Sequence, residues 1–121
     1  MARNKTRIYM AFYSRPKNDD YHMAVLLSPK NPNPHDTSTW RLHVTTNPTS
    51  RLTQQEWKYD PLQVICRTER LVSLVLLDKT KKSGEEVCEM LRVIEVVQND
   101  MSWNCKSWVF SAIKASVGLP L

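Results

Sequence analysis

The sequence predicts a single α+β domain spanning residues 1–121, an antiparallel sheet of about five strands followed by two C-terminal helices. Three observations predict this fold class. Short runs of β-branched, aromatic and aliphatic residues, separated by segments rich in proline and asparagine, fill the first two-thirds of the chain. Apolar residues recur at helical spacing in two later segments. A chain of 121 residues has the length of one domain with one core.

The first two strands are predicted from two apolar runs joined by a turn. Residues 7–14 (RIYMAFYS) are rich in β-forming residues and predict a strand that is buried on both faces. The connection, residues 15–20 (RPKNDD), combines proline, asparagine and aspartate, which favour turns. Residues 21–28 (YHMAVLLS) complete a predicted hairpin, with His22 near the start of the second strand.

A proline-containing loop and a third strand follow the hairpin. Residues 29–39 contain three prolines and predict a loop in which His35 is exposed. Residues 40–45 (WRLHVT) predict the third strand. Since side chains alternate across a strand, Arg41 and His43 are expected on one face of the sheet.

The remaining strands are predicted between residues 56 and 79. Residues 56–60 predict a short fourth strand that is closed by Pro61. Residues 62–68 fit either a strand or a helix. Residues 70–79 (RLVSLVLLDK) form a nearly continuous apolar run, which is typical of a strand buried on both faces.

The first helix is predicted from a capping box. Ser83 is the expected N-cap, and Glu86 stands three residues later, where its side chain can reach back to the N-cap backbone. The expected core face of this helix carries Val87, Leu91 and Ile94, with Cys88 beside them.

The second helix is predicted within residues 102–115 (SWNCKSWVFSAIKA). From Cys105, apolar residues recur at helical spacing, and Asn104 is the expected N-cap. Cys105 is then the first helical residue, at the positive end of the helix dipole, where the nucleophilic thiolate is favoured. The same position also suits a small buried hydrophobic residue, which is the usual role of a cysteine on an apolar helical stripe.

Three short motifs carry a resemblance to a known family. They are Tyr21-His22-Met23-Ala24-Val25, Leu42-His43-Val44 and Asn104-Cys105-Lys106-Ser107-Trp108-Val109. In this order they resemble the permuted papain-like thiol enzymes, which include the lecithin retinol acyltransferase-like (LRAT-like) proteins and the NlpC-type peptidases. Met23 stands where those enzymes usually have Trp, and Lys106-Ser107 where they usually have Glu-His. The chain also resembles small fungal proteins that end in a similar Asn-Cys-x-x-Trp-Val helix.

The resemblance implies a permuted papain-like arrangement and a cysteine-dependent hydrolase or acyltransferase. Cys105 would attack an ester or amide carbonyl, His22 would act as its base, and His43 would orient that base. The acyl group would then pass from the thioester to water or an amine. The candidate substrate-binding or oxyanion residues are Asn104, Trp103, Trp108 and Tyr21. The alternative is a catalytically silent module that binds a small ligand or a protein on the same fold.

Composition and charge limit the classes of partner and cofactor that the sequence predicts. The formal net charge of +5 fits a solvated basic surface and also permits an anionic partner. The chain lacks the basic-aromatic signature of RNA-binding domains and has only two glycines, so neither nucleic-acid binding nor a phosphate-cradling loop is predicted. Without close-spaced ligand pairs, His22, His43 and Cys105 predict no metal site, and no cofactor is implied. The expected substrate is a small molecule, a lipid or a peptide.

Cysteine usage and hydropathy predict a cytoplasmic protein. Cys66, Cys88 and Cys105 cannot all pair within one chain and form no C-x-x-C motif, so a reducing compartment is expected. The longest apolar run, Leu74–Leu77, is far shorter than the roughly 20 residues of a membrane span. The N-terminal segment has no apolar core of the kind found in signal peptides, and the sequence equally fits a mature protein from which a signal peptide has been removed. The oligomeric state stays open.

Overall fold

The computed structural model describes residues 5–14, 21–32, 35–48, 55–65, 70–98, 100 and 102–116. In chain order, the elements within these residues are β1 (Thr6–Ser14), β2 (Tyr21–Ser28), β3 (Thr39–Pro48), β4 (Gln55–Val64), β5 (Leu71–Thr80), α1 (Gly84–Met90), a 3-10 turn (Leu91–Val93) and α2 (Cys105–Ser116). The strands form one antiparallel sheet in the order β4-β3-β2-β1-β5. The predicted α+β class is confirmed.

The two faces of the sheet have different surroundings. Met23, Val25 and Leu27 of β2 lie on the face against which α1 and α2 pack, which we call the helix face. This face holds the main core, including Trp108 at 0% exposure. The opposite face carries His22, Ala24 and Leu26, and we call it the histidine face. Ala24 and Leu26 form a smaller buried cluster there with residues of β1.

Strand β1 contributes to both clusters, as its uninterrupted apolar sequence predicts. Ile8 is buried on the helix face, while Ala11 and Tyr13 are buried on the histidine face. Its position between β2 and β5 places it inside the sheet, where both faces of a strand can be covered.

Strand β5 is an edge strand, and the prediction that residues 70–79 are buried is wrong. Val72, Leu74, Val75 and Leu76 are 55%, 41%, 42% and 46% exposed. Their apolar run indicates a strand but does not determine whether the strand lies inside the sheet or at its edge. Among the strands that the structure describes, β5 pairs with β1 alone.

Strand β4 lies at the other edge and extends beyond its predicted end. Pro61 was expected to close the strand, but β4 continues through it to Val64, with Pro61 opposite Leu42 of β3. A proline lacks the N–H needed for one ladder hydrogen bond, which β4 tolerates because, among the described strands, it pairs with β3 alone.

Both helices begin as their caps predict. At α1, the Glu86 N–H donates to Ser83 Oγ at 3.1 Å and the Ser83 N–H donates to Glu86 Oε1 at 3.2 Å, which confirms the capping box. Val87 and Leu91 are buried, and Ile94 packs against the same core. No helix among the described residues is long and apolar enough to cross a membrane.

The N-terminus of α2 is capped by the side chains of Asn104 and Ser107. The Lys106 N–H donates to Asn104 Oδ1 at 2.9 Å, and the Asn104 N–H donates to Ser107 Oγ at 3.2 Å. The predicted cap at Asn104 and the start of the helix at Cys105 are therefore confirmed. Ser107 adds the second hydrogen bond of this cap.

Candidate functional site

Cys105 lies in the core of the helix face. It is 3% exposed and belongs to the same buried cluster as Met23 and Trp108. Its position as the first residue of α2 agrees with the sequence prediction, but its burial is that of a packed side chain. The structure therefore gives the thiol little contact with solvent.

The other predicted site residues on the helix face have packing or capping roles. Trp108 is fully buried and stacks on Tyr59 at 5.3 Å between ring centroids. Trp103 is half-buried and meets Trp57 edge to face at 5.7 Å. Asn104 is exposed and caps α2. Tyr21 is 48% exposed, with its ring edge to face with Phe12.

His22 and His43 lie together on adjacent strands. His22 Nε2 and His43 Nδ1 are 2.7 Å apart, and the ring centroids are separated by 4.9 Å. His43 is buried at 5% exposure, whereas His22 is half-buried. One imidazole orients the other through this hydrogen bond, which is the contact expected of a base and its orienting residue.

The sheet separates these histidines from Cys105. His22 is the register partner of Tyr13, which belongs to the cluster on the histidine face. The next residue, Met23, belongs to the same core cluster of the helix face as Cys105. On β3, Leu42 lies on the helix face, so His43 takes the other face. The described structure thus brings His22 and His43 together but does not bring Cys105 to them. A dyad of Cys105 with His22 does not fit this geometry.

Sequence reasoning missed two neighbours of the histidine pair, which are Asp60 beside His43 and Tyr13 beside His22. Asp60 lies opposite His43 in the pairing of β3 with β4, and its Oδ2 is 3.4 Å from His43 Nε2. This contact allows electrostatic attraction but lacks hydrogen-bond geometry. Arg41 shares the face of His43, and its guanidinium carbon lies 5.6 Å from the ring centroid of Tyr13. A signal for Asp60 was present, since an aspartate inside a predicted strand invites a search for its cross-strand partner.

Burial controls the ionisation of this cluster. It lowers the pKa of His43 to about 4, with a further lowering by the positive charge of Arg41 and an opposing effect of Asp60. His43 is therefore neutral at pH 7, and its contact with Asp60 is not an ion pair at that pH. Burial also raises the pKa of Tyr13, against the opposing effect of Arg41.

A neutral His43 constrains the hydrogen-bond roles in the pair. A proton on Nε2 of His43 suits the nearby carboxylate of Asp60. His43 Nδ1 is then an acceptor, and His22 Nε2–H is the donor across the 2.7 Å contact. The order Asp60, His43, His22 therefore leads from a half-buried carboxylate through the buried imidazole of His43 to the half-buried imidazole of His22.

Strand β3 also places several unpaired polar atoms on the histidine face. Within the described residues, the buried side-chain atoms Thr39 Oγ1, Arg41 Nε and His43 Nε2 lack a hydrogen-bond partner. These residues alternate along β3 and therefore form one row of about 13 Å. An unsatisfied buried polar group costs about 1–3 kcal/mol, so such groups usually bind water, an ion or a ligand. Among the described residues, no group of three or more His, Cys, Asp or Glu is placed to hold a metal ion.

Comparison with known proteins gives a family but no activity. The family whose sequence pattern matches is a family of unknown function, DUF6914, and the match covers residues 5–118. The chain belongs to the DUF6914 family. No curated protein and no solved structure matches it. Membership of DUF6914 assigns neither a reaction nor a ligand, so the resemblance to papain-like thiol enzymes stays a prediction. A functional proposal for this chain therefore rests on the geometry of the histidine face.

Proposed function

We propose that the protein is a catalytically silent module that binds a small anionic ligand on the histidine face. The observation that carries this proposal is the row of unpaired buried atoms on β3 beside the hydrogen-bonded histidine pair. Arg41 Nε is only a donor, and the Thr39 hydroxyl can donate as well. A donor-rich row suits a ligand rich in acceptor oxygens, such as a carboxylate or a phosphate.

The charges around the row also favour an anion. Arg41 carries a positive charge, and its fork of donors matches the two oxygens of a carboxylate or phosphate. His43 is neutral and adds no repulsion or attraction of its own. The negative charge of Asp60 is offset by Lys58, which lies two residues earlier on the same face of β4. The whole chain carries a formal charge of +5, which attracts anions over longer distances.

The roles of the residues follow from their exposure. Arg41 and His22 are half-buried, so both can meet a ligand that approaches from solvent. His43 is buried and acts through His22, whose orientation it sets. Tyr13 lies beneath the Arg41 guanidinium and holds it over the sheet. In this proposal, Arg41 supplies affinity and His22 supplies a directional hydrogen bond.

A cysteine-dependent hydrolase or acyltransferase is the second candidate. It is favoured by the position of Cys105 as the first residue of α2, where the dipole and the first-turn N–H groups favour negative charge. The chain order of two histidine-bearing strands and a late Asn-Cys helix supports a permuted papain-like arrangement. Against this candidate stand the 3% exposure of Cys105 and the placement of His22 on the other face.

Proton NMR of the three histidines tests the proposed ligand class. Inorganic phosphate, succinate and glycerophosphate are titrated separately, and the imidazole signals are followed. We expect at least one of these anions to shift His22 and His43, while His35, an exposed loop residue, serves as an internal reference. The Arg41→Gln variant should bind about 10- to 100-fold more weakly, as expected when a charged hydrogen bond is lost.

The control for Arg41→Gln is Arg92→Gln, since Arg92 is exposed and pairs with Glu89 away from the histidine face. This variant should bind like the wild type. Equal weakening in the two variants would show that general charge, not the row on β3, attracts the anion. The absence of a shift at His22 and His43 with all three anions would overturn the proposal.

A further inference from the structure

Strand β5 presents an exposed apolar edge to solvent. Val72, Leu74, Val75 and Leu76 are all more than 40% exposed, and they are consecutive apart from Ser73. Leu74 and Leu76 are the register partners of Ala11 and Tyr9 and therefore lie on the histidine face, while Val75, the partner of Met10, lies on the helix face. An apolar edge strand of this kind readily pairs with another strand.

The opposite edge of the sheet is protected. On β4, the Trp57 N–H donates to the side-chain oxygen of Gln98 at 2.9 Å, and the Gln98 amide donates to the Trp57 carbonyl at 2.6 Å. The Gln98 side chain thus takes the place of a neighbouring strand at this position. Pro61 lacks an N–H altogether, which further limits pairing along β4. Among the described residues, β5 is therefore the edge better suited to strand addition.

We propose that two copies of this chain pair through their β5 strands in antiparallel orientation, joining their sheets into one continuous sheet. The twofold axis is perpendicular to the sheet. Such an axis preserves the two faces, so the helices of both copies lie on the same side. In an antiparallel pair, the numbers of two opposed residues always add up to the same value. Opposed side chains share a face and faces alternate along a strand, so this value is even. One residue of β5 therefore lies on the axis, opposite the same residue of the second copy.

The register centred on Leu74 satisfies both apolar contact and charge. It places Leu74 opposite Leu74 of the second copy, and Val72 opposite Leu76. It also places Arg70, the residue directly before β5, opposite Asp78 of the second copy, and this ion pair occurs twice by symmetry. The Ser14 N–H donates to the Arg70 carbonyl at 2.8 Å, so the pairing of this segment with β1 extends to Arg70.

The neighbouring registers are less favourable. Centring on Ser73 places the charged Arg70 opposite Leu76. Centring on Val75 places Asp78 opposite Val72 and Lys79 opposite Leu71. The pairing of β5 with β1 is also irregular near each end of β5, but it is regular from Ser73 to Leu76, the segment that contains the proposed axis. When the axis passes through Leu74, it lies in a regular segment of β5 and the charged residues at the two ends are complementary.

The mass of the full chain in solution tests whether this dimer forms. One strand per copy makes an interface at the small end of stable interfaces, so we expect a reversible dimer. Light scattering and sedimentation over about 1 to 500 µM should show a rise from the 14.1 kDa monomer towards twice that mass. Leu74→Lys should weaken dimerisation by at least about tenfold, because it brings two like charges together on the axis. Val93→Lys, at a position 85% exposed outside β5, is the control and should leave it unchanged.

Charge reversal and cysteine cross-linking test the register. Arg70→Asp and Asp78→Arg should each weaken the dimer, and the double variant should restore it to within about threefold of wild type. Leu74→Cys should form a disulfide between copies, since opposed Cα atoms lie about 4.5–5.5 Å apart. Leu76→Cys should not, because its copies would be about 14 Å apart along the strands. Wild type, oxidised in parallel, controls for the native cysteines.

A protein that stays monomeric over the whole concentration range would overturn the proposal. So would a dimer that Leu74→Lys leaves intact, or one in which Leu76→Cys cross-links as fast as Leu74→Cys. Failure of the double charge variant to recover dimerisation, when each single variant weakens it, would overturn the register centred on Leu74.

Discussion

His43 shows how a polar residue is accommodated in the sheet. It is almost fully buried, it feels the charges of Arg41 and Asp60, and it pairs with His22 through Nδ1. Burial disfavours its charged form, so its pKa falls to about 4. The imidazole therefore acts as a neutral hydrogen-bonding group near pH 7, and its protonation is linked to the stability of the fold.

We expect acid to destabilise the protein through His43. Its pKa of about 4 in the folded state lies below the reference value of 6.5, so between these values the unfolded state binds more protons. Stability from this group is complete above pH 6.5 and is lost as the pH falls towards 4. Between pH 7 and pH 5, this loss should be about 2 kcal/mol, because one pKa unit corresponds to about 1.4 kcal/mol.

Urea denaturation at several pH values measures this effect in the wild type and in His43→Gln. In His43→Gln, most of the fall in the free energy of unfolding between pH 7 and pH 5 should disappear. In His35→Gln, at an exposed loop position, this fall should be the same as in the wild type. An identical pH dependence in His43→Gln and wild type would contradict the assignment to His43.

At the scale of elements, local side chains set where each helix begins. At α1, the side chains of Ser83 and Glu86 each accept a hydrogen bond from the other residue's backbone N–H. At α2, Asn104 Oδ1 accepts from the Lys106 N–H, and Ser107 Oγ accepts from the Asn104 N–H. Gly84 follows the first cap because a Cβ at this position would overlap the indole of Trp40. The start of α1 is therefore fitted closely against β3.

Removing the cap of α1 should destabilise the protein. Ser83→Ala deletes the acceptor of the Glu86 N–H and should lower the free energy of unfolding by about 1 kcal/mol, within a range of about 0.5–2. Ser111→Ala, at an exposed position inside α2, is the matched control and should change it by less than about 0.5 kcal/mol. Urea denaturation measures both. Equal effects of the two substitutions would argue against a capping role for Ser83.

At the scale of the whole molecule, the sheet separates the buried cysteines on one face from the polar cluster on the other. The helix face is a packed core that includes Cys88 and Cys105, with Tyr59 donating to the Cys88 carbonyl at 2.9 Å. The histidine face carries the polar cluster around His22, His43 and Arg41. Because the backbone of the sheet lies between them, groups on the two faces cannot exchange a proton directly.

We expect Cys88 and Cys105 to react with iodoacetamide only when the fold opens. Both are buried, at 2% and 3% exposure, so their alkylation rates should follow the equilibrium between folded and unfolded protein. Peptide mass spectrometry at increasing urea measures each cysteine separately. Selective reaction of Cys105 in the folded protein, with an apparent pKa well below about 8.5, would instead favour the thiol-dependent candidate.

Several features were predictable because their causes are local. The strands near residues 7–14 and 21–28, both helix starts and both caps follow from apolar spacing and from side chains within three residues of each other. The proximity of His22 and His43 was also anticipated, since it requires only that β2 and β3 be neighbours. Asp60 was not, because its place opposite His43 depends on the register of a strand beyond a loop.

The sequence by itself determined the α+β class, the order of the elements and the position of Cys105 at the start of α2. Only the tertiary structure decided which face of the sheet each side chain occupies and which strands lie at the edges. The physical reason is the two-residue period of a strand, because pairing and helix packing choose the buried face and a shift of one residue reverses it. That choice set His22 and His43 apart from Cys105 and left β5 exposed at the edge.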